Sequence, residues 1–437
     1  MENKTATSMP KVAAASFAGA MLEWYDFFVF GTASALVLGP LFFPRADPLA
    51  GTIASFATFG VGFLARPIGG IVFGHMGDRI GRKSTLIATL LIIGIGTFFI
   101  GLLPTYSTAG VWAPVLLVFL RLVQGFGLGG EYGGAALLTI EHAGEGQRGL
   151  WGSIPQAAAS GGILLATGTF ALVSRLPKEA LMSWGWRLPF LISIVMLVPG
   201  LFIRLNIAET PDFERVKRAK ADNRLPLMTL LRNHPRNVLL TLGARLAETV
   251  SSNIINAFGI AYVATQLAMN RSVPLNGMLI ASLIGMAMCP VFGALSDRLG
   301  RRFVYVAGAA FMALFAFPFF MLLGTRSASL ICVAMILAYN FGPTMMFAVQ
   351  ATFFSELFGA GVRYTGLSVA YQVSAIVGGF TPLIATTLLR ANGGAPWMVA
   401  GYLCGVSLLS LLSALFVRRQ QEVLQPGERA GVTAKSF

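Results

Sequence analysis

Two carboxylates, Glu23 and Asp26, stand in the stretch AGAMLEWYDFFVFG (18–31), inside a run that is otherwise apolar and aromatic from Val12 to Leu38. At i and i+3 they share one helix face. An ionisable side chain at the centre of a membrane costs roughly 2.5–3.5 kcal/mol on the insertion scale, so each is a functional candidate by default. Arg66, in FATFGVGFLARPIGG, is the complementary charge. Its planar fork binds a carboxylate bidentately and never deprotonates. A carboxylate shielded from water can load and release a proton near neutral pH. If Asp26 and a bound anion compete for Arg66, protonating Asp26 frees the arginine for substrate, which couples the two fluxes. The plain alternative is a fixed Asp26–Arg66 pair that merely locks two helices. Glu131, in RLVQGFGLGGEYGGA, is a second candidate proton carrier, and Glu23 a supporting neighbour of Asp26. Tyr25, Asn253, Asn256, Asn340, Tyr371 and Gln372 are further polar candidates for the substrate, though each could equally be interhelical glue.

These groups need a membrane to act in. Hydrophobic residues make up 55% of the chain and charged residues 11%, with a mean hydropathy of +0.73, against roughly 25% charged in soluble domains. A transmembrane helix takes about 20 apolar residues. Twelve runs qualify: 12–38, 51–74, 84–104, 112–140, 150–173, 187–204, 238–263, 275–295, 304–324, 328–354, 365–389 and 396–417. With the N-terminus in the cytoplasm, 22 of the 32 Lys and Arg fall in cytoplasmic segments, so both termini are expected there. The net charge of +14 is spread over short loops, which argues against nucleic acid as a partner. The start, MENKTATSMPK, lacks the apolar core of a signal peptide, and the first span is expected to stay in the protein. Cys289, Cys332 and Cys404 lie in apolar runs without paired spacing, and His75, His142 and His234 are scattered. No metal site or cofactor is expected, and no nucleophile–base constellation suggests an enzyme.

The polar stretch 205–237 divides the chain. The expected organisation is a cytoplasmic N-terminus (1–11), a six-helix bundle (12–204), a cytoplasmic linker (205–237), a second six-helix bundle (238–417) and a cytoplasmic tail (418–437). The halves repeat. GHMGDRIGRK (74–83) and GALSDRLGRR (293–302) share one pattern, and EHAGEGQR (141–148) and ELFGAGVR (356–363) share another, at offsets of 219 and 215 residues. Two motifs at nearly one offset indicate a duplicated unit in parallel orientation.

Asp78 and Asp297 fall at helix C-termini, where the macrodipole disfavours a carboxylate unless something compensates. Arg82 and Arg301 one turn on, or a helix N-terminus from the same half, are the expected partners. With Arg79, Arg298, Glu141, Arg148, Glu356 and Arg363 they form a pair of candidate latches on the cytoplasmic side. A lone surface salt bridge of this kind would contribute only about 0–1 kcal/mol. Among the other intramembrane charges, Arg121 lies ten residues before Glu131, about 15 Å along a helix, and reads as a structural or gating residue towards the outside. Arg245 and Glu248, at i and i+3, are expected to satisfy each other, with an inner-gate role as the alternative. Arg187, in WGWRLPF, either snorkels to headgroups or lines an outer gate. GFGLGG (125–130) matches a dinucleotide fingerprint, but no strand precedes it. Gly125, Gly129 and Gly133 read instead as a close-packing face.

The doubled motif resembles the major facilitator superfamily. LEWYDFFVFG, FATFGVGFLARPIGG, RLVQGFGLGGEYGGA, WGWRLPF and ELFGAGVRYTGLSVAYQVSAIVGGF further resemble the metabolite:proton symporter family, which includes permeases for shikimate, 2-oxoglutarate, citrate and proline/betaine. The resemblance spans residues 12–417. It implies an all-α membrane protein of twelve transmembrane helices in two pseudo-symmetric six-helix bundles, a central site near the midplane, and alternating access. It also supports a substrate role for the arginine of ARPIGG, Arg66. The expected function is proton-coupled uptake of a small organic acid, shikimate-like or a di- or tricarboxylate, by a monomer in a bacterial inner membrane. Uptake of a zwitterion such as betaine or proline is one alternative. Proton-driven drug efflux is another; it normally carries a Gly-Pro pair in span five, where this chain reads SIPQAAASGGILLATG.

Overall fold

The computed structural model describes residues 9–44, 48–80, 82–129, 140, 143, 146–206, 232, 235–358 and 363–417. The described chain is helical almost throughout, and twelve long helices carry it. They are α1 (Met9–Leu36), α2 (Pro48–Ile80), α3 (Arg82–Leu102), α4 (Trp112–Leu128), α5 (Arg148–Val173) and α6 (Leu188–Asn206) in the first half. In the second half α7 begins as Pro235–Asn253 and runs on to Gln266, α8 is Ser272–Leu299 and α9 Arg301–Gly324. Next, α10 runs from Ala328 to Ser355, α11 is Arg363–Ala391 and α12 Trp397–Phe416. Eight of these helices are long and apolar enough to cross a membrane by length and composition, and the apolar segments Ile87–Leu102 and Trp112–Leu128 are shorter. Most of the linker (207–231 and 233–234), the C-terminal tail and Gly133 lie outside the described residues.

The polarity is inside-out, as a lipid solvent requires. Leu64, Ile68 and Ile71 of α2, Val195, Val198 and Phe202 of α6, and Leu408, Leu412 and Leu415 of α12 are exposed, each set on one helix face. Polar side chains such as Ser251, Ser282, Thr352 and Ser407 are buried. Their hydroxyls mostly return to a carbonyl one turn back in their own helix; Ser251 and Ser407 donate to Ala247 and Leu403 at 2.6 and 2.7 Å.

With no hydrophobic drive between helices in lipid, association rests on close packing. The α2–α4 crossing shows this most sharply. A Cβ on Gly125 would overlap the Gly62 carbonyl, one on Gly129 the Arg66 carbonyl, and one on Gly69 the Phe126 carbonyl. The two backbones therefore touch along three turns, and the expected role of Gly125 and Gly129 is met by α2. The halves meet along α5–α8 and α2–α11. At the first, Gly149 and Gly293 lie backbone to backbone; at the second, the Phe63 ring fills the space beside Gly379.

Three single-turn π-helices interrupt the second half: Ile254–Phe258 and Tyr262–Gln266 in α7, and Asn340–Thr344 in α10. Pro343 sits inside the last. Such bulges are frequent at functional sites, and those at Ile254 and Asn340 fall beside the cavity described below.

The α2–α4 crossing makes a direct prediction. Gly125→Ala and Gly129→Ala should each destabilise the protein by about 1–3 kcal/mol, the usual cost of overpacking. Gly405→Ala, at a position with open space around it, should be neutral to slightly stabilising. Thermal unfolding of the purified variants in detergent checks the contrast.

Candidate functional site

The sequence of α1 sorts its residues by face. Trp24, Phe27 and Phe28 line a central cavity between the halves. Their rings pack on one another, Trp24 stacked on Phe28 with centroids 5.5 Å apart and edge-on to Phe347 of α10 at 5.9 Å. Tyr25 turns away, and its hydroxyl donates to the Pro189 carbonyl of α6. Asp26 is buried, but at roughly 100° per residue it lies about 200° around the helix from Trp24. It is not among the residues lining the cavity. The expected competition of Asp26 and substrate for Arg66 therefore lacks a shared space here. Glu23 lies in α1, but its side chain and Glu131 are outside the described residues.

The free volume of the cavity is about 50 Å³, below the range of small-molecule sites, so its walls stand close together in this state. Arg66 reaches it from α2, and its guanidinium lies 4.2 Å from the Phe63 ring centroid and 4.9 Å from that of Phe27. It is only 5% exposed. Among the described residues it forms no ion pair and no hydrogen bond. Two aromatic faces supply a cation–π attraction of up to about 2 kcal/mol each when desolvated. They hold the cation without using up its five N–H donors. A buried arginine in that condition has the chemistry to bind an anion.

The opposite wall comes from α7. Arg245, Glu248, Thr249, Ser252 and Asn253 line the cavity at i, i+3, i+4, i+7 and i+8, a polar stripe one helix face wide. Arg245 lies 3.7 Å from the Tyr371 ring centroid. Its Nη1 donates to the Tyr371 carbonyl at 2.9 Å and to the Ser374 hydroxyl at 2.5 Å. Arg245 and Glu248 form the expected ion pair, but a loose one. Nη2 and Oε2 stand 3.7 Å apart, beyond a hydrogen bond, and the buried Nε of Arg245 and Oε2 of Glu248 have no hydrogen-bond partner. Sequence reading paired the two residues with each other, with an inner gate as the alternative, yet the stripe was legible in the spacing of 245, 248, 249, 252 and 253. It also missed Gln156, Ser160, Tyr339 and Thr344, which line the cavity from α5 and α10.

Other expected site residues distribute unevenly. Asn253 and Tyr371 line the cavity; Asn256, Asn340 and Gln372 do not. Asn256 donates to Ser252 at 3.2 Å. Asn340 donates to the Ala281 carbonyl of α8 at 3.1 Å, which ties α10 to α8 at the π-turn. Gln372 donates to the Gly129 carbonyl at 2.9 Å, a link from α11 to α4 across the halves. Arg121 is 1% exposed and belongs to a closed set. Its Nη1 donates to Gln124 at 3.2 Å, Gln124 donates to Thr97 at 2.7 Å, and Phe30 and Phe59 lie 4.5 and 4.9 Å from the guanidinium carbon. Arg187 donates to the Gly101 and Leu103 carbonyls at 2.8 and 2.6 Å. It thus caps the C-terminal end of α3 instead of reaching for headgroups.

At the motif-bearing end the latch crosses the halves. Asp297, at the end of α8, accepts the backbone N–H groups of Gly149 and Leu150 at 2.8 and 3.0 Å. These open α5, so the helix N-terminus comes from the other half, not from the same half as expected. The α5 dipole compensates the carboxylate, and Arg301 stands 3.7 Å away and pairs with Glu356. Arg148 and Arg298 are exposed. Glu141 and the side chains of Asp78, Arg79, Arg82 and Arg363 lie outside the described residues.

Comparison with known proteins agrees with this architecture. The profile of the sugar (and other) transporter family matches residues 11–238 and 229–418. The chain is 44% identical over 416 residues to the shikimate transporter of Escherichia coli (strain K12), covering 94% of this chain and 95% of that one. It is 35% identical to the proline/betaine transporter of the same organism, covering 93% and 83%. The crystal structure of a D-xylose-proton symporter superposes with a TM-score of 0.71 over 94% of this chain at 20% identity, which shows the shared fold. The chain belongs to the sugar (and other) transporter family of the major facilitator superfamily and is a multi-pass membrane transporter.

The latch can be tested through Cys289, which lines the cavity at 1% exposure and donates to the Ser153 carbonyl of α5. In a Cys332→Ser/Cys404→Ser background, N-ethylmaleimide should label Cys289 slowly. Asp297→Ala removes two hydrogen bonds to a charged group, about 1.5–3 kcal/mol each, and should speed labelling about tenfold or more. An unchanged rate would show that Asp297 does not hold this end shut.

Proposed function

We propose that this family member is a secondary active symporter that takes up a small organic acid with a proton across a bacterial inner membrane by alternating access. The observation that carries the reading is Arg66: buried, lining the cavity, and held by Phe63 and Phe27 with no protein acceptor among the described residues. A substrate carboxylate would supply the missing acceptor through a bidentate contact.

The remaining lining suits a hydroxylated monocarboxylate. One carboxylate engages Arg66, and hydroxyls meet Gln156, Ser160, Thr249, Ser252 and Asn253 while a ring lies against Trp24, Phe28 and Phe347. A site built from such donors and acceptors discriminates strongly against analogues lacking the hydroxyls. The shikimate transporter among the relatives makes shikimate the first compound to test. A second reading has its own observation. The same rings, with Phe27, Phe63 and Tyr371, would accept a quaternary ammonium group, and a relative named as a proline/betaine transporter gives weight to a zwitterion. Protons serve as the coupling ion, and a monomer suffices because both walls of the cavity come from one chain.

Proteoliposomes carrying the purified protein should concentrate labelled shikimate under an inward proton gradient and release it when the gradient collapses. Excess glycine betaine should compete weakly; strong competition with poor shikimate uptake would favour the zwitterion. Arg66→Ala should weaken binding by about 100-fold or more, the usual loss when one side of a buried charge-assisted contact goes. Wild-type affinity in that variant would remove Arg66 from the site.

A further inference from the structure

Of the intramembrane carboxylates whose side chains are described, Asp26 and Glu248, only Glu248 lines the cavity that Arg66 lines. Its situation is unusual. It is buried at 7% exposure, its Oε2 has no hydrogen-bond partner, and the nearest cation, Arg245, stands 3.7 Å off. Burying an ion without full hydrogen bonding is costly. A fixed structural pair would close that gap, as the Arg301–Glu356 pair does at the motif-bearing end.

Arg245 is divided in its commitments. Nη1 is anchored on Tyr371 and Ser374, the guanidinium is stacked on the Tyr371 ring, and Nε makes no hydrogen bond. The anchoring fixes the plane of the fork; the Nε and Nη2 donors are left to Glu248 or to something else. Other titratable or charged groups lining the cavity with Glu248 are Arg66 from α2, Tyr339 from α10, Tyr371 from α11 and Cys289 from α8. Two cations from opposite halves thus face one carboxylate.

We propose that Glu248 is the proton-coupling carboxylate of the cavity and Arg245 the second anchor for the substrate. Ionised Glu248 occupies Arg245 and balances one of the two cations. Protonated Glu248 gives up that hold, and the Nε–Nη2 side of Arg245 turns to the substrate while Arg66 binds its carboxylate from the other half. Substrate and proton therefore enter the closed cavity together, and loss of the proton from Glu248 returns Arg245 to its own carboxylate and expels the anion. The role moves from Asp26, on the far face of α1, to a residue on the helix that carries two of the three π-turns. This rests on the organic-anion reading of the site.

The test is direct binding of shikimate to the purified full-length protein between pH 5.5 and 8.5, with proton uptake read by an indicator dye in weak buffer. In the wild type, affinity should fall about tenfold per pH unit on the alkaline limb, with uptake of about one proton per shikimate bound there. Glu248→Gln, a mimic of the protonated form, should bind with little pH dependence, take up no proton, keep shikimate counterflow and lose accumulation driven by ΔpH. Glu248→Asp, which keeps a titrating group, should restore part of the pH dependence. Wild-type protein that binds shikimate with no proton uptake overturns the proposal, however the variants fold. So does Glu248→Gln that keeps the wild-type pH profile. Loss of that profile in Asp26→Asn alone returns the role to Asp26 and likewise overturns it. A wild type that binds no monocarboxylate at any pH instead strikes the organic-anion reading beneath it. Wild-type binding and accumulation with an indistinguishable Glu248→Gln leave that reading standing and remove Glu248 alone.

Discussion

A charge inside a bilayer has no water to fall back on, so the protein must supply every partner itself. Four arginines, three within the spans and one at a span's end, meet that constraint to different degrees. Arg187 spends its donors on the last carbonyls of α3. Arg121 is enclosed by Gln124, Thr97 and phenylalanine rings. Arg245 is anchored at one nitrogen and loosely paired at another. Arg66 has only aromatic faces among the described residues. This gradient sets Arg66 apart as the cation with the fewest protein acceptors among the described residues.

The position of Arg66 depends on glycine. The carbonyl of Arg66 lies where a Cβ on Gly129 would sit, and one turn to either side Gly62 and Gly69 meet α4 in the same way. Backbone contact at that range fixes α2 in height and rotation against α4. It also leaves the Phe63 and Arg66 side chains no direction but the cavity, since Leu64, Ile68 and Ile71 cover the lipid side. Pro67 follows directly and removes one backbone donor from the helix beside the charge. The dense glycine of ARPIGG and GFGLGG thus sets where Arg66 stands, although none of the described glycines there lines the cavity.

Much of this was legible in the chain. Alternation of apolar runs and basic loops marks the spans, and the doubled G-x-x-x-D-R-x-G-R pattern marks the two halves. Arg66 is legible because a lone arginine at mid-span has few structural uses. What a linear reading could not supply was rotation about the helix axis and the identity of neighbours. Asp26 and Arg66 share a depth, and depth is a one-dimensional quantity; the aromatic triplet Trp24, Phe27 and Phe28 takes the cavity face of α1 and turns Asp26 from it. Glu248 was judged by its distance along the chain from Arg245, where i and i+3 normally means a satisfied pair. The anchoring of Arg245 on Tyr371 and Ser374, 126 and 129 residues away, leaves that pair loose. Asp297 reaches across the halves to α5 for the same reason: nothing local records which helix N-terminus a loop will meet.

These placements bear on how the two ends of the molecule can alternate. Parting the motif-bearing end breaks the Asp297 hydrogen bonds to Gly149 and Leu150, the backbone contact of Gly149 with Gly293 and the Ser160–Tyr339 bond at 3.0 Å beside the cavity. A carboxylate on a helix N-terminus and its hydrogen bonds together are worth a few kcal/mol. One proton moving down a unit of ΔpH yields about 1.4 kcal/mol, and a membrane potential of 100 mV adds about 2.3. The driving force and the latch are therefore of one order, so neither face is locked against the gradient. Arg66 and Arg245 stand on opposite walls, so an anion bound between them would draw the walls together, whereas an empty cavity with an ionised Glu248 has its negative charge on one wall only. A bound monoanion with neutral Glu248 and an ionised Glu248 alone carry the same charge against the two cations, so loaded and empty states differ in where that charge sits and not in how much there is.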